Sequence, residues 1–467
     1  MTLPASYRPE PAILELGDDF FDPVAAADFP QTILRFRNDR AAAEVGLDHL
    51  EDEEWVRHFG RFAALPDNLP QPLALRYHGH QFRTYNPDLG DGRGFLFAQM
   101  RDQAGRLMDL GTKGSGQTPW SRFGDGRLTL KGGEREILAT EMLEALGVET
   151  SRTFSLIETG EALTRGDEPS PTRSAVMVRL SHGHIRIGTF QRLAYLEQAD
   201  NLRKLTDSCL RHYFGEPSGE DGPARLLRNV TEGTARLAAS YIAAGFVHGV
   251  LNSDNINITA ESFDYGPWRW TPFWDGHFTA AYFDHAGLYS FGRQPEAIHW
   301  DVVQLATALR TIAPPEPLTE QIGRFPDLFH EALRDRLCWR LGIEPGEKDA
   351  DAALLLAIEQ ALAAQTVTID RFFFDWRGGR RRGPSPAESV YAGAEFQELA
   401  ATLSARTAVP GATDHPYWSD AEPCSMHIEE VEAIWRRIDT LDDWSALSAK
   451  IAAVRRMGEA LQGSDGA

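Results

Sequence analysis

The sequence predicts an α+β protein of two lobes, a small β-rich N-terminal lobe followed by a larger helical one. Three observations predict it. From about residue 73 to residue 188, short alternating apolar runs are separated by Gly- and Asp-rich turns. One amphipathic helix is inserted among them. Beyond residue 188 helical periodicity dominates, interrupted by one polar, β-prone island over 246–274.

The elements follow in order. Residues 1–70 are mixed and rich in proline and acidic pieces, and are expected to form an extension packed on the N-lobe. Residues 71–188 are expected to be the N-lobe, 189–375 the C-lobe with its catalytic loops, and 376–467 a C-terminal helical region. Residues 94–100 read as a strand, 102–105 as a turn and 107–113 as the returning strand. A Gly-rich stretch, 114–133, leads to a helix over 136–146, where Leu138, Met142 and Ala145 share a face and Gly147 is the stop. Strands are expected at 152–158 and 175–180. Helices are expected at 193–213, 226–244, 300–312, 328–341 and 352–364. The loop 376–389 carries the basic run Arg380–Arg381–Arg382, which reads as a solvated segment.

Composition narrows the function. The chain has 467 residues, 42% apolar and 25% charged, which is globular and excludes wholesale disorder. Its formal charge of −21 argues against a surface made to hold nucleic acid or an anionic membrane. No apolar run approaches the ~18–20 residues of a membrane helix. The N-terminal stretch lacks the basic-then-apolar pattern of a secretory leader. Cys209, Cys338 and Cys424 are far apart and odd in number, so neither a disulfide framework nor a thiolate zinc site is expected. A cytoplasmic protein is the expectation.

Four clusters carry possible chemistry. In the first, Gly90, Gly92 and Gly94 alternate around Asp91 and Arg93, so that backbone N–H groups and a guanidinium could face an anion; taken alone, the cluster reads rather as an ordinary Gly-rich hairpin turn. In the second, Lys113 ends a strand on the same face as Gly111 and Asp109, with Gly111 leaving room for a ligand. Glu136 follows in what reads as the first turn of the next helix. A strand Lys with a helix Glu is how kinases position phosphates. In the third, Arg179 and Arg186 flank a turn and could clamp a polyphosphate. His78-x-His80 and His182-x-His184 have metal-like spacing but no matching Cys or carboxylate set, and read as histidines bonded within their own turns.

The fourth cluster is the most specific. His248-Gly-Val-Leu-Asn252-Ser-Asp254-Asn255 is followed by a short hairpin and by Asp264-Tyr265-Gly266. One carboxylate near an acceptor hydroxyl, with Asn and a second Asp on a divalent cation, is the kinase arrangement. With the element order, it defines a two-lobed protein-kinase-like fold. The pattern departs from ordinary kinases, because Asp254 and Asn255 are adjacent and neither H-R-D nor G-x-G-x-x-G is present.

These departures form a pattern of their own. Four stretches carry it: YHGHQFRTYNPDLGDGRG, DLGTKGSGQTPWSRFGDGRLTLKGGEREILATEMLEALGV, HGVLNSDNINI, and DYGPW with the following YSFGRQP. Over about residues 55–309 the chain resembles the selenoprotein O, or YdiU, family of protein adenylyltransferases. The resemblance implies a kinase-like fold that binds ATP in reversed orientation and transfers AMP to Ser, Thr or Tyr hydroxyls of acceptor proteins with Mg²⁺ or Mn²⁺. Some members use UTP. It further implies that Gly90, Gly92, Arg93, Lys113, Asp125, Gly126, Arg179 and Arg186 contact the nucleotide and that Glu136 is the partner of Lys113. Asp254 matches the proton acceptor, and Asn255 and Asp264 match the metal ligands.

Some positions depart from the family. Trp268 and Arg269 follow the Asp-Tyr-Gly-Pro run where Phe and Gly are common, Leu288 replaces a common Arg, and Ala280 stands where some members have a cysteine that pairs with one near the C-terminus. Adenylyl transfer attacks the α-phosphorus and expels pyrophosphate, and Arg93, Lys113, Arg179 and Arg186 supply cations for that leaving group. An Asp254 of ordinary pKa near ~4 is expected to act mainly by position. The order of readings is an ATP-dependent protein nucleotidyltransferase, then an ordinary kinase, then a nucleotide-binding pseudoenzyme suggested by Trp268 and Arg269.

Overall fold

The computed structural model describes residues 4–166 and 168–463. Its N-terminal lobe is built on a nine-stranded antiparallel sheet. The strands are β1 (Arg8–Pro9), β2 (Phe21–Pro23), β3 (Ile33–Arg37), β4 (Leu73–Leu75), β7 (Leu96–Arg101), β8 (Leu107–Lys113), β9 (Leu128–Thr129), β10 (Arg152–Leu163) and β11 (Thr172–Ser181). The main path runs β2-β4-β7-β8-β11-β10-β3, with β1 on β7 and β9 on β11. The first 70 residues thus contribute three strands to the sheet itself. Between β4 and β7 lies a separate hairpin, β5 (Gly79–Gln81) with β6 (Thr84–Asn86).

Helices α1 (Asp39–Glu44) and α2 (Asp52–Phe59) cover one face of the sheet. Trp55 stacks on Phe154 at 4.8 Å, and with Phe59, Phe97 and Val178 makes a dry layer there. Each such buried side chain contributes about 1.5–3 kcal/mol. The other face carries α3 (Leu130–Ala145). This helix starts six residues before the expected 136. The Gly132-Gly133 pair reads as a breaker in sequence, but Thr129 caps the helix by accepting from the Gly132 N–H at 3.1 Å. Gly133 is there for closeness: a Cβ would lie 2.3 Å from Leu156 Cδ1 on β10. Glu136 therefore sits in the second turn, not the first.

The C-lobe is helical: α4 (Ile187–Tyr195), α5 (Ala199–Phe214), α6 (Gly222–Ala244), α7 (Gln294–Leu309), α8 (Pro315–Gly323), α9 (Phe325–Leu341), α10 (Lys348–Ala363), α11 (Ile369–Asp375), α12 (Glu388–Tyr391), α13 (Ala394–Ser404), α14 (Ile428–Leu441) and α15 (Ser445–Gln462). The single helix expected over 193–213 is two, divided at Glu197, whose φ is +55°. No Gly or Pro marks that break. Within 246–274, regular pairing is limited to β12 (Phe246–Val247) with β13 (Arg269–Trp270). Among the described residues the short hairpin expected between Asn255 and Asp264 is absent, and Asn257 instead bridges to Arg186.

The basic run is not a solvated segment. Arg381 pairs with Glu388 at 2.6 Å and stacks on Tyr391, while Arg382 donates to the Phe374 carbonyl at 2.7 Å. Only Arg380 of the three is exposed. Among the described residues no helix is long and apolar enough to cross a membrane.

Candidate active site

A cleft of about 1110 Å³ lies between the lobes. Gly90, Gly92, Arg93, Lys113, Asp125, Gly126, Arg179, Arg186, Asp254, Asn255 and Asp264 all line it. Strands β8 and β11 deliver Lys113 and Arg179, a loop delivers Arg93, the start of α4 delivers Arg186, and the C-lobe loops deliver Asp254, Asn255 and Asp264.

Lys113, at the end of β8, is buried and contacts Glu136 of α3 through its ammonium group. The same Nζ lies 2.8 Å from Asp264 Oδ1. Burial alone would push the Asp264 carboxyl up, but Lys113, Arg179 and Arg93 outweigh it and hold it well below the usual carboxylate range. Asp264 has φ +64°, a strained left-handed conformation at the point where its side chain turns to the cleft. Tyr265 beside it is anchored in the core by hydroxyl contacts to Thr150 and Ser262.

Arg179 and Arg186 both lie over the Phe263 ring, with guanidinium carbons 5.0 and 4.9 Å from its centroid. Arg186 also covers Tyr77, pairs with Asp91 at 3.2 Å and donates to the Asp254 carbonyl at 3.1 Å. Arg179 Nη1 is buried with no hydrogen-bond partner among the described residues, and lies 3.7 Å from Asp264 Oδ1.

The space over Gly111 is not left for a ligand. His184 fills it, and a Cβ on residue 111 would lie 2.2 Å from His184 Nε2. Arg179 Nε donates to that Nε2 at 3.2 Å, so the ring proton is on Nδ1, which faces Asp109 Oδ2 at 3.2 Å. Burial lowers the His184 pKa and keeps the ring neutral. The other histidines of the two pairs have different partners. His78 meets the Tyr85 hydroxyl at 2.7 Å and His80 meets Gln191 at 2.7 Å. No cluster of three or more His, Cys, Asp and Glu suited to a metal occurs among the described residues.

The alternating glycines serve packing between loops. Gly90 lies beneath Trp120, where a Cβ would meet the indole at 2.4 Å, and Thr118 Oγ1 donates to the Asp91 carbonyl at 2.5 Å. Asp125 pairs with Arg165 at 2.8 Å and caps the Arg127 N–H at 2.9 Å. Arg93 and Phe123 are exposed at the cleft.

Asp254 sits in a 3₁₀ turn, Ser253–Asn255, bolted from three sides. Ser253 donates to Gln191 of α4 at 2.6 Å and accepts from the His80 N–H at 2.8 Å. Asn252 accepts from the Phe82 N–H at 3.0 Å and from the Tyr289 hydroxyl at 2.7 Å. Asp254 itself is buried, and its Oδ1 has no hydrogen-bond partner among the described residues. Burial raises its carboxyl to about 6, against partial opposition from Arg186. The expected value near ~4 is therefore corrected: desolvation makes it a stronger base than an ordinary Asp.

Asn255 donates its amide nitrogen to the Val250 carbonyl at 3.0 Å, and no bond among the described residues uses its oxygen. That oxygen and the Asp264 carboxylate are hard donors, of the kind Mg²⁺ or Mn²⁺ takes alongside phosphate oxygens.

Trp268 and Arg269 do not obstruct the cleft. Trp268 is fully buried under Arg135, whose guanidinium lies 4.4 Å from the ring, and Arg269 belongs to β13. Ala280 packs near Gly249, and all three cysteines are free. Sequence reasoning passed over Asp91, Trp120 and His184 as working parts. Asp91 and Trp120 lay inside the quoted motifs, and His184 would have been found by asking what fills the space over Gly111.

A β-lobe Lys paired with a helix Glu, facing a buried Asp, an Asn and a second Asp across a cationic cleft, defines a kinase-like nucleotide-binding enzyme fold. The comparisons specify it. The model of the family described as protein adenylyltransferase SelO matches residues 4–405. A Synechocystis relative, named protein nucleotidyltransferase YdiU, is 51% identical over 341 residues, 72% of this chain and 70% of its own. A Gloeobacter violaceus relative of the same name is 42% identical and covers 96% of this chain and 95% of its own. The chain belongs to the SelO family and is a nucleotidyltransferase. The match to a solved Toxoplasma gondii rhoptry antigen kinase domain covers 79% of this chain and 99% of that domain, at 10% identity and a TM-score of 0.25.

Proposed function

We propose that this protein transfers AMP from ATP to Ser, Thr or Tyr hydroxyls of acceptor proteins and releases pyrophosphate. The observation that carries the reading is one cleft holding Arg93, Lys113, Arg179 and Arg186 together with the buried Asp254, whose Oδ1 has no hydrogen-bond partner among the described residues. The acceptor oxygen attacks the α-phosphorus and its proton goes to Asp254. The bond to the pyrophosphate oxygen breaks, and pyrophosphate leaves with the electron pair. Lys113, held by Glu136, and the arginines offset the charge that accumulates on it. Asn255 and Asp264 would hold Mg²⁺ or Mn²⁺, which neutralises charge on the phosphate oxygens. Gly90, Gly92, Asp125 and Gly126 shape the wall against the nucleotide. Acceptors that are proteins accord with the relatives' printed name.

The test is retention of label from α-labelled ATP in protein, with γ-labelled ATP and α-labelled UTP in parallel. Retained α-label from ATP is expected, and Asp264→Ala and Asp254→Ala should each lower it by about a hundredfold or more. Retained γ-label would make the protein a kinase, and preferential retention from UTP would replace AMP by UMP.

A further inference from the structure

The hairpin of α14 and α15 lies beyond residue 405, where the family match ends. We propose that this hairpin positions Glu136, by bracing the back of α3 against the C-lobe. The proposal rests on the transfer reading above.

Lys131, Glu134, Leu138, Glu141 and Ala145 recur at alternating spacings of three and four along α3 and form one stripe. Glu136 lies two positions from both Glu134 and Leu138, so it points to the opposite side, toward Lys113. The stripe is taken up by the hairpin. Arg455 of α15 binds Glu141 through both carboxylate oxygens, at 2.7 and 2.6 Å. Lys131 reaches Glu432 of α14 at 2.8 Å. Gly458 brings α15 so close that a Cβ there would be 3.2 Å from the Ala145 backbone. Leu138, Met142, Val431, Ile434, Val454 and Met457 belong to one buried core.

The hairpin is tied to both lobes. Its corner residue, Asp442, accepts from Arg173 of β11 at 2.8 Å and meets Arg35 of β3 at 3.1 Å. Its far end enters the C-lobe, where the buried Arg377 donates to the Leu461 carbonyl at 3.2 Å and Arg456 grips Asp420. A helix clasped in this way cannot swing outward, so Glu136 stays on Lys113. Displacement of a positioning group by ~1 Å can lower a rate by ~10²-fold.

The experiment uses the full chain. Arg455→Ala is compared with wild type and with the charge swap Glu141→Arg/Arg455→Glu. Glu432→Ala, at the more exposed pair, is the second probe should Arg455→Ala fold poorly. Each is assayed for α-label transfer, for ATP affinity with Mn²⁺ and for Tm, in the wild-type and Glu136→Gln backgrounds. Arg455→Ala is expected to lower kcat about tenfold, with the swap recovering most of it. On the Glu136→Gln background the same change should cause no further loss. A loss of equal size on both backgrounds, or a loss that merely follows Tm, would overturn the proposal. ATP affinity reads the brace independently of chemistry. A wild-type protein that binds ATP without transferring AMP would therefore sink the transfer reading, while the variants' affinities still decide the brace.

Discussion

Arg179 owes its position to His184 and Asp109. An arginine aimed at a polyphosphate needs its spare N–H groups engaged elsewhere, or it folds back on the nearest carboxylate. Here Asp109 fixes the His184 tautomer, and the free ring nitrogen takes Arg179 Nε. A hydrogen bond to a charged group is worth about 1.5–3 kcal/mol. His184→Ala should therefore lower kcat/KM for ATP about tenfold, measured by α-label transfer at subsaturating nucleotide. Unchanged kcat/KM would show that the ring only fills space. His184 was dismissed in the sequence because a histidine in a turn has many bland explanations. Lys113 was legible because strand periodicity put it on a defined face, whereas Glu136 was implied as its partner by the kinase pattern and the family resemblance.

At the scale of the element, α3 carries an unusual group. Glu134 is fully buried and neither carboxylate oxygen has a hydrogen-bond partner among the described residues. Burial raises its carboxyl from 4.5 to about 8, with Arg135 and Lys131 opposing and Glu432 assisting. The folded protein keeps this proton while the unfolded chain releases it above about 4.5. The contribution to stability is thus fully present below pH ~4.5 and is lost as pH rises through about 8. Thermal unfolding from pH 5 to 8 should show Tm of the wild type falling relative to Glu134→Gln. Parallel curves would mean that the carboxyl finds water or a cation when ionised. The start of α3 was misread because two glycines look like a breaker, whereas Gly133 is needed for close contact with Leu156 of the sheet.

For the whole molecule, the candidate cleft exists only where the lobes meet. On the proposed reading ATP with Mn²⁺ would contact both lobes, so binding should stabilise them together. At a nucleotide concentration a hundred times Kd the gain is about 2.7 kcal/mol. A Tm increase of several degrees is expected, and Asp264→Ala should remove the part that depends on Mn²⁺. A Tm insensitive to the metal in the wild type would count against Asn255 and Asp264 as its ligands.

The order of sheet, helix and helical lobe and the loop with Asp254, Asn255 and Asp264 were legible in the sequence, and the pairing of Lys113 with Glu136 was implied by the family resemblance. Periodicity and short motifs are local, and local spacing is enough to place such residues on faces and turns. Tertiary structure decided the rest. It drew three strands from the first 70 residues into the sheet, split the helix at Glu197, buried Trp268 away from the cleft and raised the Asp254 carboxyl to about 6. It also set the C-terminal hairpin behind α3. Burial and long-range ion pairs depend on what a residue meets across hundreds of positions, and no window of sequence contains that partner.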